Sequence, residues 1–115
     1  MNIYPSRKEF LQHISDECQF IISQTSSKSD EDIFLDQALL RALVRSIEII
    51  GEASKRIDQD FRQINSHIEW KEMAGMRDKL IHDYFGVDYE IVIDVVRTNI
   101  PFLHSEINIL LENNF

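Results

Sequence analysis

Over residues 30–57 the apolar side chains Leu35, Leu39, Ala42, Leu43, Ile50 and Ala53 recur at helical spacing, so this stretch reads as one long second helix that buries a single stripe. Arg41, Arg45, Glu48, Glu52, Lys55 and Arg56 ride beside the stripe. Such a helix has to be covered by others of similar length. The rest of the chain can supply them, because three Gly and two Pro in 115 residues are too few for a turn-rich β fold. Gly51 lies inside the stripe at a cost of about 1 kcal/mol relative to Ala, which implies a close approach there by a neighbouring helix or by a nucleotide or RNA backbone.

The other helices announce themselves by their ends. Ser6-Arg7-Lys8-Glu9 is a capping box, followed by Phe10, Leu11, Ile14, Cys18, Ile21 and Ile22 at helical spacing. A polar connector, 24–29, leads to Asp30-Glu31-Asp32, whose charge suits the positive end of the second helix. Residues 58–66 read as a short helix and turn, with Phe61 and Ile64 turned to the core. Ser66-His67-Ile68-Glu69 reads as a second capping box, opening a helix that stops at Gly86. Asp88 then caps the last helix, with Val87 able to staple onto Val92. Its stripe runs through Val92, Val95, Val96, Leu103, Ile107 and Leu110, kinked or interrupted at Pro101. The expected fold is all-α, a four-helix bundle with one short additional helix, formed by residues 1–115 as a single domain.

The net charge of −8 argues against a general basic face that coats nucleic acid, though a groove needs only local positive charge. Cys18 is the single cysteine, so no disulfide framework is expected. No leader and no apolar run near 20 residues appears, which leads us to expect a soluble cytoplasmic protein without membrane contact.

Chemistry concentrates in Arg77-Asp78-Lys79-Leu80-Ile81-His82-Asp83-Tyr84. At about 100° per residue, Arg77 and Tyr84 share a face, while Trp70, Met73, Ala74, Leu80 and Ile81 make the buried stripe. Arg77 therefore projects from the edge of that stripe and needs a partner or a ligand. Glu48 or Glu52 would be the structural partner. Asp78 and His82 are four apart, so the carboxylate can orient the imidazole and favour its charged form. Lys79 is placed to hold a flanking phosphate.

With Phe85-Gly86-Val87-Asp88-Tyr89-Glu90-Ile91-Val92 behind it and Trp70 and Ala74-Gly75-Met76 ahead, this pattern resembles the HepT-like toxins of the HEPN superfamily, most strongly over 68–94. Ile93 departs from the pattern, standing where many relatives carry Trp. The resemblance implies a small helical ribonuclease, the toxin of a type VII-like toxin–antitoxin pair, encoded beside an MntA-like minimal nucleotidyltransferase antitoxin. It implies a homodimer with a composite cleft, Arg77 and His82 as catalytic residues, and Tyr84 as acceptor of an AMP group that blocks the site. RNA, with tRNA and mRNA as candidates, is the implied substrate. No cofactor or metal is implied, and the cleavage product expected is a 2′,3′-cyclic phosphate.

Two other readings compete. One is a catalytically silent helical module that binds a nucleotide or a partner enzyme, which the acidic surface would suit. The other is a carboxylate-bridged metal bundle using Glu48, Glu52, Asp78 and His82, although the paired Glu-x-x-His motifs of such bundles are absent.

Overall fold

A computed structural model of the chain describes residues 6–80, 86 and 88–115. Among them every regular element is helical. Helix α1 (Arg7–Thr25) starts where expected, the Ser6 hydroxyl accepting from the Glu9 N–H. Helices α2 (Asp30–Leu35) and α3 (Gln37–Lys55) follow, then the short α4 (Gln59–Ile64), α5 (Trp70–Ala74) and α6 (Met76–Leu80). The last run is α7 (Tyr89–Asp94), a π turn (Val95–Asn99) and α8 (Ile100–Asn114). Taken as continuous runs, α1, α2–α3, α5–α6 and α7–α8 are the four helices of the expected bundle and α4 is the short addition. No described helix is long and apolar enough to cross a membrane.

Helix α3 is the centre, packing against α1 on one side and α5 and α6 on the other, while α8 covers α1. Leu11, Ile14, Leu40, Leu43, Ile47, Ile50 and Ile107 are fully buried between them. Cys18 belongs to this core, and burial, with a smaller contribution from Glu17, pushes its thiol pKa up to about 12. The Ser15 hydroxyl donates to the Asn108 side-chain carbonyl at 2.7 Å, pinning α1 to α8. Gly51 explains itself here. A Cβ at that position would lie 3.3 Å from the Met73 carbonyl oxygen and 3.5 Å from that of Ala74, so the close approach is the backbone of α5 and not a ligand.

Several sequence expectations are corrected. The long second helix is broken at Asp36, whose extended backbone ends α2 and whose carboxylate caps α3 by accepting from the Leu39 N–H. Helical phase does not carry across that break. Ile33 takes the inward position and Leu35 is left 72% exposed. The Ser66 capping box does not form. The chain turns instead at Asn65, which is buried and accepts the Trp70 indole N–H on its backbone carbonyl, and α5 begins only at Trp70. Because α4 ends at Ile64, Asn65 takes the inward place and Ile64 is 79% exposed. The site helix is also interrupted, at Gly75 between α5 and α6.

Other expectations match. Asp88 caps α7, accepting from the N–H groups of Glu90 and Ile91. Pro101 has no N–H for the Arg97 carbonyl and its ring crowds that oxygen, and the helix widens into the π turn immediately before it. The expected helix end at Gly86 and the staple through Val87 involve residues outside those described.

Candidate active site

Arg77 is held on α6 by the burial of Met76 and Leu80 on either side of it, which fixes the helix against α3. Its side chain remains 55% exposed, and its Nε lies 3.6 Å from Glu48 Oε2 on α3. The expected partner is thus Glu48. Glu52 instead faces Lys55 on its own helix, at 3.6 Å. Arg45 also approaches Glu48 Oε2, its Nη1 at 3.7 Å. One carboxylate therefore gathers two guanidinium groups at one place on the surface. The approach of Arg45 to the carboxylate that Arg77 meets is a contact that sequence reasoning missed. The signal was the position of Arg45 three residues before Glu48 on one helix face, which became informative only once Arg77 was known to meet the same carboxylate.

The other named residues separate. Lys79, roughly 200° round the helix from Arg77, turns to α5, where its Nζ lies 3.2 Å from Glu72 Oε1. Asp78 is exposed on α6. His82 and Tyr84 lie outside the described residues, and with them the expected Asp78–His82 contact. Their flanks are described, however. The Asp88 N–H donates to the Leu80 carbonyl at 2.8 Å, so the end of α6 and the start of α7 are tied directly to each other. The stretch that carries His82 and Tyr84 joins these two anchored points.

Among the described residues no group of three or more His, Cys, Asp or Glu side chains is arranged to hold a metal ion. Glu48, a ligand in the metal-bundle reading, is engaged by Arg45 and Arg77. Two guanidinium groups from neighbouring helices, gathered at one exposed place, suit the binding of an anion such as a phosphodiester.

Residues 14–110 match the family model described as "Ribonuclease HepT-like". The chain belongs to the ribonuclease HepT-like family. Its relatives include a Caldanaerobacter subterraneus protein named "Putative RNase", 47% identical over 91% of this chain and 94% of that one. A Thermococcus cleftensis protein named "Probable ribonuclease HepT" is 43% identical over 88% of this chain and 92% of its own length. A longer Methanocaldococcus jannaschii protein, named "Gamma-glutamylcyclotransferase and putative RNase", is 44% identical over 91% of this chain and 47% of its own. No solved structure matches. The HepT-like resemblance of the Arg77–Tyr84 stretch therefore extends over most of the chain, and ribonuclease is the activity named in the family and in these relatives.

Proposed function

We propose that this chain, acting as one HEPN-like domain, is a metal-independent endoribonuclease toxin whose catalytic residues are Arg77 and His82. The observation that carries the reading is Arg77 itself, exposed and sharing Glu48 with Arg45, on the helix whose end is tied to Asp88 across the His82 stretch. This supplies the local positive charge that an acidic protein needs in order to meet RNA.

The chemistry asks little of such a site. RNA brings its own nucleophile, the 2′-hydroxyl, which attacks the adjacent phosphorus and expels the 5′-oxygen, leaving a 2′,3′-cyclic phosphate. His82, an imidazole able to titrate near neutrality, moves the proton, and Arg77 stabilises charge on the phosphorane. One imidazole cannot easily serve both oxygens in a single step. A homodimer that places two copies across one groove removes the difficulty. Asp78 orients His82. Lys79, which faces Glu72 and points away from Arg77, holds a flanking phosphate rather than the reacting one.

Regulation belongs to the same reading. An MntA-like nucleotidyltransferase antitoxin, cytoplasmic like the toxin, transfers AMP from ATP to the Tyr84 hydroxyl with release of pyrophosphate. The added phosphate and its bulk then occlude the RNA path. The reading is tested by incubating purified protein with tRNA and mRNA in EDTA and characterising the new 3′ ends. Cyclic-phosphate ends are expected. Intact RNA with unmodified protein would favour the silent binding module instead.

A further inference from the structure

The turn at Asp36 leaves an apolar knob on the surface. Leu35 is 72% exposed and Phe34 43%, the Phe34 ring set edge-on to Tyr89 at 6.2 Å between centroids. With Ile93 they floor an open groove of about 620 Å³ between α2 and α7. Its rim is acidic. Glu31 comes from α2, and Glu90 and Asp94 from α7. Neither Glu31 nor Glu90 has an ion-pair partner among the described residues. Asp30 adds a fourth carboxylate, and the one rim cation among the described residues, Arg97, is already engaged, donating from Nε to Asp30 at 2.9 Å and to the carbonyls of Thr25 and Lys28.

We propose that this groove docks a protein segment in which Lys or Arg residues flank apolar side chains. The apolar floor offers burial, and the excess of carboxylates among the described rim residues selects the sign of the flanking charge. The same charges disfavour other occupants. RNA would set its phosphates against the rim. A second copy docked here about a two-fold axis would bring Glu31, Glu90 and Asp94 against a face of the same sign. The proposal stands apart from the ribonuclease reading, since it uses no residue assigned to catalysis.

The test uses the intact protein and two synthetic helical peptides, one of Lys and Leu and one with the same Leu pattern but Glu in place of Lys. Amide chemical-shift mapping with the Lys/Leu peptide should show shifts centred on Phe34, Leu35, Glu90 and Ile93, and the Glu/Leu peptide should not bind. Glu31→Lys combined with Glu90→Lys should weaken the Lys/Leu affinity about tenfold or more. Asp16→Lys with Glu112→Lys makes the same change in net charge elsewhere on the surface and should leave the affinity unchanged. Leu35→Ser, at an exposed position that does not threaten folding, should also weaken it. Equal loss in the control pair, comparable binding of the Glu/Leu peptide, or shifts centred elsewhere would overturn the proposal. So would a Leu35→Ser chain that loses self-association in sedimentation, since the face would then belong to a second copy.

Discussion

Arg77 Nε and Glu48 Oε2 lie 3.6 Å apart, within ion-pair range but beyond a good N–H···O hydrogen bond, and the arginine is more than half exposed. Such a pair contributes little to stability, at most about 1 kcal/mol. Arg77→Ala should therefore lower the unfolding free energy by less than about 1 kcal/mol, yet reduce RNA cleavage by roughly 100- to 1,000-fold through loss of charge stabilisation at the phosphorane. Glu48→Gln should keep cleavage well above that of Arg77→Ala. Denaturant melts beside single-turnover cleavage separate the two effects, and a large stability loss in Arg77→Ala would assign the arginine to structure.

Helix α3 touches the site helix through the absent side chain of Gly51. Gly51→Val would drive its side chain into the Met73 and Ala74 carbonyls, which are backbone and cannot swing aside. We expect destabilisation of about 1–3 kcal/mol from overpacking, measured by denaturant melts. Unchanged stability would mean that α5 can retreat at no cost.

Much of this arrangement was legible in the sequence. The caps at Ser6 and Asp88, the central stripe of α3 and the interruption at Pro101 are set by local chemistry and formed as expected. The breaks at Asp36 and Gly75 were not legible, because Leu35 and Leu39 are four apart, and Gly75 stands between Ala74 and Met76 with helical spacing intact on either side. Spacing reports phase along a helix assumed continuous, and a break whose flanking residues keep helical spacing in the sequence is invisible to it. Ser66 illustrates the converse. Its capping box was a sound local signal overridden by burial of Asn65 and Trp70, which ordered the turn differently. At the site, an Arg77 pair with Glu48 or Glu52 followed from helix geometry, whereas the choice of Glu48 and the presence of Arg45 required knowledge of how α3 and α6 pack.

Arg7 donates to both Asp58 carboxylate oxygens, at 2.8 and 2.9 Å, and lies over the Phe61 ring at 4.6 Å. These bonds, with the Phe61 N–H, hold the Asp58 pKa below its ordinary value. A carboxylate held low in the folded state contributes stability above its unfolded pKa, and that contribution is lost as pH falls through the folded one. Arg7→Gln should therefore lower Tm at pH 7, with the deficit narrowing below about pH 4. A deficit independent of pH would assign the whole effect to the contact with Phe61.

Tyr84 yields a mass-spectrometric prediction. Co-expression with the proposed MntA-like nucleotidyltransferase antitoxin should add AMP to the chain, and Tyr84→Phe should abolish the addition while leaving RNA cleavage intact. Undiminished modification of the mutant would place the acceptor elsewhere.

In the proposed mechanism His82 moves the proton in a cleavage that needs no metal. Wild-type protein and His82→Ala, matched for folding by circular dichroism, should be compared on the same RNA in EDTA. Wild type should generate cyclic-phosphate ends, and the mutant none above background. Equal cleavage by the two would remove His82 from the reaction.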